Sequence, residues 1–60
     1  MTNARRIRAL VVDDEPLARE MIREMLEDDS EVEIVSECVN GREAVEAIKS
    51  LKPDLVFLDI

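Results

Sequence analysis

Sixty residues allow no more than one domain, and a chain of this size removes only about 60% of its unfolded surface from water on folding. An apolar fraction of 47%, with one Gly, two Pro and no repeat, excludes a disordered acidic tail and any low-complexity or collagen-like chain. The net charge of −7, from 15 acidic and 8 basic residues, disfavours nonspecific binding to nucleic acid or anionic membrane, whose phosphates it would repel.

The amino terminus, MTNARRIRALVVDD, has a basic start but only a brief apolar run that ends in two acids. It reads as neither a signal peptide nor a membrane span, so a cytoplasmic protein is expected. Residues 1–5 are expected to be disordered, and Arg5, Arg6 and Arg8 to flank the first strand in solvent. Ile7 to Val12 is β-branched and apolar almost without interruption, the pattern of a parallel strand covered on both faces. It stops abruptly at Asp13-Asp14-Glu15.

Pro16 fits the first turn of a helix, where its missing N–H costs nothing. Leu17, Ala18, Met21, Ile22, Met25 and Leu26 then draw one apolar stripe, with Arg19, Glu20, Arg23 and Glu24 outside it. Met21 and Met25 are expected as core filler. The polar run Glu27-Asp28-Asp29-Ser30 should end the helix. Val32 to Cys38 alternates, with Glu33 and Glu37 between apolar neighbours, as in a strand at a sheet edge. Asn40 with Glu43 three residues on predicts a helix start, and Ala44, Val45, Ala47, Ile48 and Leu51 supply the apolar face. After Pro53, Leu55 to Leu58 forms a third apolar strand ending at Asp59, in which Phe57 should pack on a sheet face. The order β-α-β-α-β implies an α/β layered fold with parallel strands.

Ligands in parallel α/β sheets bind at the carboxyl ends of the strands. Asp13 and Asp14 end the first strand, and Asp59 ends the third. If these strands are neighbours, roughly 4.8 Å apart, three carboxylates meet in one small volume. Their mutual repulsion calls for a cation, and Mg²⁺ suits a few carboxylates plus water. Such an ion would shield an incoming phosphoryl group for attack by a carboxylate oxygen, and aspartate is an established nucleophile of this kind. Taken alone, Asp13-Asp14-Glu15 before Pro16 reads more readily as helix capping. The joint pattern of two acids after one strand and a third after another favours the metal and phosphoryl reading.

Other chemistries fit poorly. Histidine is absent and Cys38 is the only cysteine, which removes His-based acid–base work, cysteine-rich metal sites and any intrachain disulfide. Cys38 reads as a small buried hydrophobe. No GxGxxG or GxxxxGK[ST] occurs, and Gly41 follows the second strand rather than the first, against a nucleotide-binding enzyme. A DxD-type phosphatase would need an acid two residues after the nucleophile and then Thr; Glu15 is followed by Pro16.

VVDDEPLARE (Val11 to Glu20), NGREA and DLVFLDI (Asp54 to Ile60) together resemble the receiver domain of two-component response regulators, across the chain from Ile7 onward. The resemblance implies the amino-terminal half of a flavodoxin-like, doubly wound parallel sheet with strand order 2-1-3. It implies Asp59 as phosphoacceptor, Asp14 as the acid that ligates Mg²⁺ directly and Asp13 as one acting largely through water. Asn40 and Gly41 match the structural turn before the second helix. The wording EPLARE and FLDI further resembles receivers joined to a LytTR-type DNA-binding output domain.

The resemblance also implies what residues 1–60 do not contain. In the family two further strands and three helices follow, with a Mg²⁺-binding backbone carbonyl two residues past the acceptor, a strand-four Ser/Thr and a strand-five Lys. Two functions are therefore expected. One is a non-enzymatic phosphoacceptor module served by a histidine kinase, with Mg²⁺ at Asp13, Asp14 and Asp59. The other is a truncated structural half-domain that self-associates through its open third strand, as a homodimer or segment-swapped oligomer, without phosphotransfer.

Overall fold

The computed structural model describes residues 6–59, so the expectation for residues 1–5 lies outside the described residues. Three strands and two helices alternate: β1 (Ile7–Asp13), α1 (Pro16–Glu27), β2 (Val32–Cys38), α2 (Gly41–Leu51) and β3 (Leu55–Asp59). All strand pairs are parallel and the sheet order is β2-β1-β3, the half flavodoxin-like arrangement expected from the sequence.

Local chemistry sets each boundary. Pro16 opens α1, and Asp29 closes the connection after it by accepting the Glu31 N–H on Oδ1 (2.9 Å) and the Val32 N–H on its carbonyl (3.1 Å). Asn40 caps α2 by accepting the Glu43 N–H (2.9 Å), while the Glu43 carboxylate accepts the Val39 N–H (3.1 Å). The first bond satisfies a donor that the helix start leaves orphaned, and the second ties the chain entering the helix to its first turn. Lys52 ends α2 in the left-handed region with φ 50°, its N–H returned to the Ile48 carbonyl (2.9 Å).

Beta-strand side chains alternate between faces, so Leu10 and Val12 point opposite to Ala9, Val11 and Asp13. Leu10, Val12, Cys38 and Ala44 form a buried cluster with Ala47 against it, which places α2 on that face. On the other face lies α1, whose Arg19 and Arg23 reach Glu37 of β2. The central strand is thus sealed on both sides: Ala9, Leu10 and Val11 are fully buried.

A β-bulge interrupts the β1–β2 ladder. Ala9 pairs with Ile34 but Leu10 pairs with Ser36, so Val35 is the extra residue. Bulges are rare in parallel pairs, and this one re-aims everything after it. Glu37 comes beside Val11 on the α1 face and Cys38 beside Val12 on the α2 face. Without the extra residue Glu37 would sit beside Val12, in the apolar cluster.

Two expectations are corrected. Met21 and Met25 are 62% and 73% exposed rather than core filler, as is Leu17 at 70%. Only Ala18, Ile22 and Leu26 of the α1 stripe are half-buried, because that one row of the stripe faces β1 and β2 while the row of Leu17, Met21 and Met25 meets no described element. Nor are Arg6 and Arg8, at the start of β1, simply solvated. Arg6 Nη2 donates to the Val32 carbonyl (2.9 Å) and Arg8 Nη1 to the Lys52 carbonyl (3.2 Å), tying β1 to the start of β2 and the end of α2.

Candidate functional site

The carboxyl ends of β1 and β3 define the site, and a clamp at their amino ends sets its register. The Arg8 N–H donates to Asp54 Oδ2 (2.9 Å), and the Asp54 N–H donates to the Arg8 carbonyl (2.8 Å). From that reciprocal pair the strands run in step, so Ala9 meets Leu55, Val11 meets Phe57 and Asp13 meets Asp59. Neighbouring strands lie about 4.8 Å apart, and partners in register share a face. Asp13 and Asp59 therefore stand side by side on the α1 face, where Phe57 packs half-buried behind them.

Asp13 is the one buried acid among the described residues, at 4% exposure, and it is provided for. Its Oδ1 accepts the Glu15 N–H (2.9 Å), and its backbone carbonyl accepts Arg19 Nη1 (2.7 Å). Asp14 lies one residue beyond the strand, exposed in the turn toward α1. Asp59 is exposed as well. Neither the Asp14 nor the Asp59 side chain has a hydrogen-bond or ion-pair partner among the described residues.

The capping alternative does not account for these acids. Glu15 occupies the N-cap position of α1 without a side-chain cap, and the first turn holds no acid. Among the described residues no three acids stand close enough to hold a metal ion as placed. Register brings together Asp13 and Asp59, with Asp14 adjacent in sequence. Mg²⁺ takes one or two carboxylates and fills its remaining positions with water and phosphate oxygens. The chemistry of the donors suits that ion, with Asp14 and Asp59 exposed and Asp13 held by the Glu15 N–H, although the three carboxylates are not gathered around one point as placed.

Positive charge enters from α1. Arg19 Nε lies 3.6 Å from Glu37 Oε1, and Arg23 Nη1 lies 2.9 Å from Glu37 Oε2. The hydrogen bond to Glu37 pushes the Arg23 guanidinium further above its ordinary value. On the opposite face, burial pushes the Cys38 thiol up, reinforced by the nearby Glu43 carboxylate. Sequence reasoning set Arg19 and Glu37 aside as solvated polar positions. Their signal was present: two arginines four apart on one helix, and an acid near the end of the β2 strand that the helix leads into.

The sheet order β2-β1-β3 is that of half a doubly wound α/β fold, and its paired acids stand at the strand ends where ligands of such folds bind. The response regulator receiver domain model matches residues 9–60, and the chain belongs to that family. It is 54% identical over 54 residues to the transcriptional regulatory protein BtsR of Escherichia coli, covering 90% of this chain and 23% of BtsR. It is also 49% identical over 55 residues to a protein-glutamate methylesterase/protein-glutamine glutaminase of Carboxydothermus hydrogenoformans. A namesake from Paramagnetospirillum magneticum is 46% identical over 55 residues; in both cases 92% of this chain and 16% of the relative are covered. The chain thus spans under a quarter of the length of these relatives, which are named for gene regulation and for ester hydrolysis.

Proposed function

We propose that this chain is a phosphoacceptor module of two-component signalling, in which Asp59 takes a phosphoryl group from a histidine kinase. The observation that carries the reading is the register of Asp13 with Asp59 at the carboxyl ends of neighbouring parallel strands. Family membership supports it.

In this reading an Asp59 carboxylate oxygen attacks phosphorus in line, an O–P bond forms, and the bond from phosphorus to the kinase imidazole breaks. The imidazole leaves with a proton from solvent, and Asp59 becomes a mixed anhydride. Mg²⁺, when bound, supplies neutralisation of phosphoryl oxygens and of the crowded carboxylates. Asp14 and Asp59 would ligate it, with Asp13 acting largely through water.

The module itself is proposed to be non-enzymatic and cytoplasmic. Among the described residues no helix is long and apolar enough to cross a membrane. Similarity to a protein named as a transcriptional regulator supports an output in gene regulation; the LytTR type of that output rests on the wording EPLARE and FLDI, and the net charge of −7 argues against direct contact of residues 1–60 with nucleic acid. The acyl-phosphate route gives the test. Incubation with Mg²⁺ and a small acyl phosphate should add one phosphoryl group by intact mass, lost on chelation and absent in Asp59→Asn. A labelled Asp59→Asn variant refutes the acceptor assignment.

A second reading rests on β3. Leu55, Val56 and Leu58 are exposed, and β3 touches β1 but neither helix. Such an edge is a template for pairing. In this reading residues 1–60 act as a half-domain that self-associates with a second copy through β3 and transfers no phosphoryl group. A concentration-independent monomer by light scattering would exclude it.

A further inference from the structure

The arginine on α1 does more than line its helix. The Arg19 side chain is only 18% exposed, and its guanidinium bridges two strands, donating to the Asp13 carbonyl (2.7 Å) and facing Glu37 (3.6 Å). Glu37 is available there only because the Val35 bulge turns it to the α1 face. Arg23 holds the other Glu37 oxygen at 2.9 Å. An arginine fork is rigid and always charged, so two fixed acceptors define its position more firmly than they would a lysine. The last carbonyl of β1 is thereby pinned to the body of the fold, immediately before the turn that carries Asp14.

We infer that Arg19 is a positioning residue for the acidic end of β1, held in place by the bulge-directed Glu37. Arg19 touches neither a carboxylate of the site nor any reacting atom; it acts through the Asp13 backbone. With the carbonyl anchored and Oδ1 fixed by the Glu15 N–H, the Asp13 side chain and the Asp14 turn have one arrangement to offer a cation. The inference rests on the phosphoacceptor reading for its consequence, while its geometry does not.

Two measurements on the full chain separate the two claims. Without metal, amide hydrogen exchange in Arg19→Gln should quicken at Glu15, whose N–H meets Asp13 Oδ1, and stay unchanged at Leu10 and Val12. With metal, Arg19→Gln should weaken Mg²⁺ binding about 10-fold, as loss of a residue orienting a metal ligand does. Arg19→Lys should recover part of that affinity, and Glu37→Gln should show a smaller loss of the same sign. Unchanged Glu15 exchange in folded Arg19→Gln overturns the positioning role. So does a Mg²⁺ affinity equal to that of the unmodified chain. If the unmodified chain binds no Mg²⁺, the phosphoacceptor reading fails instead, and the exchange result still decides whether Arg19 positions β1.

Discussion

Strands β1 and β3 are near copies in composition and opposites in environment. ALVVD of β1 and LVFLD of β3 pair residue for residue, yet Ala9, Leu10 and Val11 are fully buried while Leu58 is 63% exposed. The difference lies in what covers them. Both helices pack over β1 and β2, and neither reaches β3. Hydrophobicity makes a strand fit to be buried; the placement of crossovers decides whether it is. The same split divides α1, whose Ala18, Ile22 and Leu26 meet the sheet while Leu17, Met21 and Met25 overhang it.

The largest effects should fall where the comparison is sharpest. Leu10→Ala removes a fully buried side chain and should cost about 2–5 kcal/mol, enough to unfold a chain this small. The matching change at an exposed position, Leu58→Ala, should stay within about 0.5 kcal/mol. Urea denaturation followed by circular dichroism checks both. Equal losses would mean that β3 is covered in solution, as the self-association reading requires.

A middle-sized effect is expected at the clamp. Asp54→Ala removes the acceptor of the Arg8 N–H and should cost on the order of 1 kcal/mol. Since that pair starts the β1–β3 ladder, amide exchange should quicken along β3 through Asp59 and leave β2 unchanged. Exchange that quickens equally in β2 would deny the clamp its role in setting register.

The smallest effect is a pH dependence of the covered face. Burial raises the Cys38 thiol, so the folded chain holds that proton more tightly than the unfolded one. The contribution is fully present below the ordinary thiol value of about 8.5 and is lost as pH rises toward the raised folded value. Urea midpoints should therefore fall with alkalinity in the native chain and less steeply in Cys38→Ala. Parallel slopes would assign the alkaline loss to other groups.

Much of this architecture was legible in the sequence. Unbroken apolarity marked β1, Pro16 and Asn40 marked the helix starts, and the acids marked the strand ends. Each of these signals is local: a ring that fixes φ, an amide that caps, a run of branched side chains. The misreadings were non-local. A helical stripe shows which residues share a face, but Met21 and Met25 could be placed only by knowing which row of the stripe meets the sheet. Nothing in VEIVSEC announces that Val35 is the extra residue, because a bulge is a relation between two strands. Glu37 and Arg19 were overlooked for that reason. The candidate site divides in the same way: its three acids stand in the sequence, while their adjacency depends on a register set by Arg8 and Asp54.

That adjacency is the claim most open to a direct check. Titrating the ¹⁵N-labelled chain with Mg²⁺ should shift the amides of Asp13, Asp14 and Asp59 along one saturation curve. The acidic run Glu27-Asp28-Asp29 should stay still. No shift at Asp59, or shifts spread evenly over the acidic surface, would contradict a site built jointly by the ends of β1 and β3.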